Sequence, residues 1–214
     1  MIELQNINKQ LKGNHVLKNI SYTFNDGMVY GLYGYNGSGK TMLLRAISGL
    51  ICMDSGSVLI NGQELGKAIS FPPDTGIVIE SMELLPEHSA KKNLELLSKI
   101  KKIAGEEDIR HSLERVGLNP DSDQKVKKFS LGMKQRLNIA QAIFEKQNII
   151  LLDEPTNALD EDGVKLIYDI IKEEKERGAT IIIATHHKED LENLCDVILK
   201  ISAGEIVEET RIRE

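Results

Sequence analysis

The chain has 214 residues, of which 41% are hydrophobic and 28% are charged, values typical of a globular protein with one sizeable core. A net charge of −6, an aromatic content of 4% and the absence of Trp disfavour nucleic acid as the main ligand. No apolar run approaches the roughly 20 residues that span a bilayer, and the N-terminus has no secretory signal pattern. Any membrane role is therefore expected to depend on a partner.

The two cysteines, Cys52 and Cys195, lie far apart and form no C-x-x-C motif. Such a pair is typical of reduced thiols in a cytosolic protein rather than of a disulfide or a zinc site. Both side chains are therefore expected to be buried.

The first part of the chain has the pattern of an N-terminal antiparallel β subdomain. Ile2, Leu4 and Ile7 alternate with polar residues, as in a strand at the edge of a sheet. Turn residues such as Asn61-Gly62 separate further segments of β pattern, which are residues 16–17, 20–24, 28–33 and 57–60.

Residues 34–41 have the sequence G-Y-N-G-S-G-K-T and fit the phosphate-loop pattern G-x-x-x-x-G-K-[ST] without a mismatch. Glycines let the backbone N–H groups turn inward around phosphate, and the helix that follows aims its positive end at the anion. Lys40 is expected to reach the β- and γ-phosphates, and the Thr41 hydroxyl to bind Mg²⁺. A glycine-rich turn with a chance lysine is disfavoured, because the spacing and both flanks fit. The residues predicted to bind nucleotide are Gly34, Tyr35, Asn36, Gly37, Ser38, Gly39, Lys40, Thr41 and Met42.

Strands and helices alternate in the rest of the chain. Residues 76–79 predict a short core strand, and helical spacing dominates from about 89 to 146, which predicts a helical subdomain inserted in an α/β core. The remaining elements are strands at 149–152, 181–184, 197–199 and 204–207, with helices around 164–171 and 191–194. This alternation predicts a mostly parallel sheet, and no linker divides residues 1–214, which are expected to form a single domain.

Two acidic residues, Asp153 and Glu154, end the apolar strand at 149–152. Ligands of such sheets collect at the carboxyl ends of the strands, where the phosphate loop also emerges. Asp153 is expected to hold Mg²⁺ and Glu154 to take a proton from the attacking water. Because adjacent side chains of a strand point in opposite directions, we expect the backbone to turn at Glu154, helped by Pro155. The alternative, a surface turn before a proline, is weaker for Asp153 than for Glu154.

Thr185-His186-His187 follows the next apolar strand at the same edge. His186 is expected to contact the γ-phosphate or the water, whereas His187 fits a solvated helix start. Elsewhere, Ser130 begins a predicted helix as an N-cap, a role that alone would explain it.

Taken together, these motifs resemble the nucleotide-binding subunit of ATP-binding cassette (ABC) transporters over nearly the whole chain. The matching parts are residues 34–41 (Walker A), 149–154 (Walker B with the following glutamate), 155–160 (D-loop), 130–136 (signature motif) and His186 (switch histidine). The resemblance implies a P-loop NTPase core and an ATPase that uses Mg²⁺, with Lys40, Glu154 and His186 as catalytic residues and Asp160 in the D-loop.

The same resemblance implies two partners. One is a second nucleotide-binding subunit, identical or different, packed head to tail so that ATP lies between one Walker A loop and the other signature motif. The residues that would then serve the partner's nucleotide are Ser130, Leu131, Gly132 and Met133. The other partner is a separate transmembrane permease, expected to dock near residues 81–96 and to hold this cytoplasmic chain at the inner face of the membrane. No nucleic acid is expected.

Three features depart from the family pattern. The signature has the sequence F-S-L-G-M, with Leu131 and Met133 in place of glycine and glutamine, as in export-type members. Glu80 stands where the Q-loop glutamine is expected; a carboxylate there can still approach Mg²⁺, and the change resembles transporters that expel bacitracin-like or lantibiotic peptides. Leu11 stands where an aromatic residue often stacks on adenine, which predicts weak discrimination between ATP and GTP.

Other functions remain open at this point. A soluble cassette acting on ribosomes or DNA is disfavoured by the acidic charge and the single cassette. A non-hydrolysing, ATP-gated dimerisation module is suggested by Leu131, Met133 and Glu80 but opposed by Glu154 and His186. A small-molecule kinase fits less well, because Glu154 with His186 suits water as the nucleophile.

Overall fold

The computed structural model describes residues 1–80 and 84–212. Within these residues the strands are β1 (Ile2–Leu11), β2 (Asn14–Phe24), β3 (Val29–Tyr33), β4 (Ser55–Ile60), β5 (Gln63–Glu64), β6 (Thr75–Val78), β7 (Ile149–Asp153), β8 (Thr180–Thr185), β9 (Val197–Ser202) and β10 (Glu205–Arg211). The α-helices are α1 (Lys40–Ile47), α2 (Ala90–Lys101), α3 (Glu106–Arg115), α4 (Leu131–Ile143), α5 (Glu161–Glu176) and α6 (Lys188–Leu194), and a 3₁₀ turn spans Val126–Lys128.

The strands form two sheets. One is antiparallel, with the order β2-β1-β4-β5, and the other has the order β10-β9-β3-β8-β7-β6 and is parallel except for β10. Between β6 and β7 the described chain contains α2, α3 and α4. The predicted α/β fold, with an N-terminal antiparallel region and a mostly parallel sheet, is confirmed.

Two expectations about the N-terminal half are wrong. β1 lies between β2 and β4 rather than at an edge. Its pairing with β2 shifts register after Leu4 and after Ile7, and such irregularities bend a strand. Cys52 is exposed, whereas Cys195 is buried. Cys52 lies in the irregular segment between α1 and β4, and such connections run over the surface.

The parallel sheet is buried on both faces. Ile150 and Leu152 belong to the core shared with α2–α5, while Leu151 belongs to the core shared with α1 and the antiparallel sheet. This two-sided burial explains the continuous apolar run of β7. Because β3, β8 and β7 are parallel neighbours, their carboxyl ends lie at one edge of the sheet. The phosphate loop follows β3 at this edge, and Asp153 and Thr185 end β7 and β8 there.

No helix within residues 1–80 and 84–212 has the length and apolar character needed to cross a membrane.

Candidate nucleotide-binding site

The phosphate loop connects β3 to α1 and is held tightly by its neighbours. A Cβ atom on Gly34 would lie 2.3 Å from the carbonyl oxygen of Ile201. Gly39, with φ +114°, would place a Cβ atom 2.8 Å from the carbonyl oxygen of Val16. Close contact therefore requires glycine at both positions, and at Gly39 the backbone conformation requires it as well.

The loop fits a phosphate group. α1 begins directly after Gly39, and the first N–H groups of a helix have no partners within the helix. The Ser38 hydroxyl is buried and has no hydrogen-bond partner among the described residues. Asn36 and Tyr35 are exposed beside it, and Met42 is half-buried on α1. Orphaned donors around a tight glycine-rich turn are what an anion would satisfy.

Lys40 is almost fully buried, and its Nζ donates to the carbonyl oxygens of Gly34 at 2.6 Å and Tyr35 at 3.2 Å. Burial lowers the pKa of the Lys40 ammonium, against the opposing effect of the Glu154 and Asp153 charges. The loop thus holds a partly desolvated cation beside the expected phosphate position.

Thr41 and Asp153 come together, since the Thr41 hydroxyl donates to Asp153 Oδ2 at 2.7 Å. Burial raises the pKa of Asp153, while the hydrogen bond from Thr41 lowers it. Hydroxyl and carboxylate oxygens suit Mg²⁺, which in nucleotide sites takes one or two protein ligands and completes its shell with phosphate and water. Among the described residues no group of three or more His, Cys, Asp or Glu side chains could hold a metal ion by itself.

Glu154 turns out of β7 as predicted. Its backbone has φ +47°, and its N–H donates to the carbonyl oxygen of Ala184 at 2.8 Å. The side chain is held from two directions, by Thr185 Oγ1 at 2.8 Å and by His186 Nδ1 at 2.7 Å. The contact uses the Nδ1 atom of His186, so the other ring nitrogen, Nε2, lies outside it. The ring of His187 lies 3.9 Å from that of His186, measured between centroids.

Glu80 lies at the same edge but contacts a cation. Its Oε2 accepts from Arg45 Nη2 at 2.5 Å. In this structure Glu80 thus pairs with Arg45, whereas Thr41 and Asp153 contact each other. The role of Glu80 as a metal ligand stays a prediction.

The predicted signature residues form a separate depression of about 500 Å³, lined by Ser130, Leu131, Gly132, Met133, Arg136, Ala158, Leu159 and Asp160. None of its described lining residues belongs to the phosphate loop. Ser130 caps α4 by accepting from Met133 N at 3.1 Å, and Leu131 is 72% exposed. Asp160 caps α5 by accepting from Gly163 N at 2.9 Å and contacts Arg136 Nη2 at 3.4 Å.

Sequence reasoning missed three contacts of the site. Thr185 and Arg45 hold the carboxylates of Glu154 and Glu80, and Gln135 on α4 donates to the carbonyl oxygen of Pro155 at 3.0 Å. Thr185 stands at a strand end beside His186, and Arg45 is one helical turn after Thr41. These positions are the only indications in the sequence for the contacts of Thr185 and Arg45.

A comparison with protein-family models matches residues 17–157 to the model described as "ABC transporter". The chain belongs to the ABC transporter family.

Curated relatives agree with this family. The chain is 60% identical over 206 residues to the uncharacterized ABC transporter ATP-binding protein YybJ of Bacillus subtilis, covering 96% of this chain and 94% of YybJ. It is 35% identical over 207 residues to the lantibiotic transport ATP-binding protein SrtF of Streptococcus pyogenes, covering 97% and 89%.

Solved ABC cassettes share the fold. The dimeric post-hydrolysis state of the cassette MJ0796 bound to ADP and Pi matches with a TM-score of 0.89 and 26% identity over the full length of both chains. A second dimeric MJ0796 structure matches with a TM-score of 0.88 and 28% identity, again over both full lengths. The chain is thus an ABC transporter ATP-binding subunit, a class of ATPases that use ATP with Mg²⁺ and work as dimers with a membrane permease.

Proposed function

We propose that this chain hydrolyses ATP with Mg²⁺ and couples the closure of a cassette dimer to export through a separate permease on the cytoplasmic face of the membrane. The observation that carries the proposal is the placement of Glu154. Its carboxylate is fixed by His186 and Thr185 at the sheet edge that also carries the phosphate loop and the Thr41–Asp153 pair.

This arrangement suits water as the nucleophile. The water oxygen bonds to the γ-phosphorus, its proton passes to the Glu154 carboxylate, and the bond to the β–γ bridging oxygen breaks, which releases ADP and phosphate. Lys40 supplies positive charge to the phosphates, and the His186 ring, held against Glu154, is proposed to contact the γ-phosphate. Mg²⁺, held by Thr41 and Asp153, would neutralise phosphate charge. Burial of Lys40 and Asp153 strengthens these charge interactions.

A second copy would complete the site. The signature residues Ser130–Met133 occupy a depression apart from the phosphate loop, so one chain alone does not surround a nucleotide. The N-terminus of α4 is capped by Ser130 and lies beside exposed Leu131, so it is free to face a phosphate on a partner. That the two MJ0796 cassette structures are dimeric supports pairing with a second copy.

A groove of about 590 Å³ is the proposed permease contact. Its lining includes Glu80, Leu84, Lys134 and Asn138, and Asn138 Oδ1 is buried without a hydrogen-bond partner in the described chain. Residues 81–83 of the predicted docking segment lie outside the described residues, whereas Leu84 and Pro86 border this groove.

Peptide antibiotics are the proposed cargo. SrtF is named for lantibiotic transport, which supports this cargo. The Bacillus subtilis relative LnrL, 35% identical over 211 residues, is named for linearmycin resistance and supports antibiotic export more generally. Deletion of the gene is expected to lower tolerance to such peptides. Unchanged tolerance across a panel of lantibiotics and bacitracin would count against this cargo.

Phosphate release from ATP tests the enzymatic part. Because a second copy completes the site, the rate per chain is expected to rise with protein concentration and to require Mg²⁺. A rate per chain that stays constant over a wide range of protein concentration would contradict a site shared between copies.

Base selectivity gives a further prediction. Leu11 is 39% exposed in the β1–β2 hairpin, and Val16 of the same hairpin contacts the phosphate loop at Gly39. With an aliphatic surface there, ATP and GTP are expected to show similar KM values. Leu11→Phe is expected to tighten ATP binding about fivefold or more, because stacking a base on an aromatic ring contributes about 1–3 kcal/mol.

The matched control is Leu50→Phe, which changes another exposed leucine after α1 and is expected to leave nucleotide affinity unchanged. Binding is measured with both nucleotides by titration calorimetry. A strong wild-type preference for ATP, or equal effects of the two phenylalanine variants, would refute the role of Leu11.

A further inference from the structure

Arg45 and Glu80 form an ion pair at the border of the nucleotide site. Arg45 lies four residues after Thr41 and therefore on the same face of α1. Its Nη2 donates to Glu80 Oε2 at 2.5 Å. Glu80 has φ +55°, a backbone conformation that non-glycine residues seldom adopt. The carboxylate is therefore placed by a sharp turn directly after β6.

The turn places Glu80 level with the catalytic carboxylates. Val78 of β6 pairs with Leu152 of β7 in the parallel sheet. Glu80 lies two residues after Val78, and Glu154 lies two residues after Leu152, so the two acidic residues stand at matching positions. Because β6 and β7 are neighbours in the sheet, the carboxylate of Glu80 emerges at the same edge as that of Asp153.

The charges at this edge are unevenly matched. The carboxylates of Asp153 and Glu154 act on the ammonium of Lys40, which already donates to two loop carbonyl oxygens, and Glu80 lies at the same sheet edge. Arg45 is the cation that contacts Glu80 directly. Both partners of this pair are partly exposed, with side-chain exposures of 33% and 54%, and such pairs contribute little stability. The pair can therefore exchange for another cation.

We propose that the Arg45 guanidinium and the divalent cation compete for the carboxylate of Glu80, which makes Arg45 a positioning residue that sets how much Mg²⁺ nucleotide binding requires. The inference rests on the proposed function. With Arg45 paired, Glu80 is held back from the metal ligands Thr41 and Asp153. With Mg²⁺ held by Thr41 and Asp153, the Glu80 carboxylate would exchange Arg45 for the metal, and the Arg45 guanidinium would then face solvent or the groove that Glu80 also borders.

The test measures Mg²⁺ demand rather than turnover. The unfolding temperature is followed in saturating ADP while Mg²⁺ is added, and the Mg²⁺ concentration at half of the rise is compared. Arg45→Gln is expected to lower this Mg²⁺ concentration about threefold, because the lost ion pair is exposed and contributes only a small free energy. Glu80→Gln is expected to raise it about tenfold. The double variant is expected to match Glu80→Gln alone, because Arg45 acts only through Glu80.

Arg110→Gln is the matched control, since Arg110 on α3 forms an exposed ion pair with Asp121 in the segment that follows this helix. It is expected to leave the Mg²⁺ concentration unchanged. The proposal is overturned if Arg45→Gln leaves that Mg²⁺ concentration unchanged. It is also overturned if Arg45→Gln shifts the concentration by the same factor in the wild type and in the Glu80→Gln variant. Neither result would count against nucleotide binding. A wild-type chain that ADP and Mg²⁺ do not stabilise refutes the proposed function itself, and the inference with it.

Discussion

Glu154→Gln is expected to lower the steady-state rate of ATP hydrolysis by about 10²–10⁴, the usual contribution of a general base. The amide is nearly isosteric with the carboxylate but cannot take a proton from water. Thr185 Oγ1 and His186 Nδ1 contact separate oxygens of Glu154, so one of the two contacts is retained with the amide oxygen. Affinity for ATP is expected to stay within about threefold of wild type.

Both quantities are measured on the same preparation, phosphate release by a coupled assay and ATP affinity by calorimetry. Glu176→Gln, an exposed change at the end of α5, is the control and is expected to leave both values unchanged. If Glu154→Gln retains more than about a tenth of the wild-type rate, another group takes the proton, and the assignment of Glu154 as the base is wrong.

Lys40→Met is expected to weaken ATP binding about 10- to 100-fold and to lower hydrolysis by about 10²–10³. The lysine is buried with its ammonium at the mouth of the loop, where hydrogen bonds to a charged phosphate are strong. Methionine keeps most of the volume but no charge and no donor. Affinity is measured by calorimetry, with the exposed Lys165→Met on α5 as a control that should bind normally.

The same variant has a predicted effect on pH-dependent stability. Burial lowers the pKa of Lys40 below its ordinary value of 10.5, so in the nucleotide-free protein the folded state loses this proton before the unfolded state does. At pH values between the lowered pKa and 10.5 the unfolded state binds more protons than the folded state. The free energy of unfolding of the wild type therefore increases as the pH rises through this range. The unfolding temperature of the wild type should therefore rise relative to that of Lys40→Met as the pH approaches 10.5. A difference that is constant with pH would show that Lys40 is not desolvated.

Local sequence determined the parts of this site that depend on short segments. The apolar run of β7 required burial on both faces, and the following Asp153-Glu154-Pro155 required a backbone turn, which is observed at Glu154. The N-cap role of Ser130 likewise followed from its own segment and is confirmed.

Contacts between distant segments were not available in the same way. The position of β1 inside its sheet depends on where β2 and β4 pair, and the alternation within β1 carries no information about either neighbour. The Arg45–Glu80 pair depends on how α1 sits beside the end of β6. The roles of the nucleotide, metal and signature residues stay predictions, because nothing in the fold alone tests them.

The central claim, a site completed by two copies of the chain when ATP binds, is tested most directly by the mass of Glu154→Gln in solution. Light scattering is recorded with and without ATP and Mg²⁺, on a variant that binds nucleotide but turns it over slowly. We expect the mass of one chain without ATP and of two chains with it. A variant that binds ATP and keeps the mass of one chain would contradict the claim.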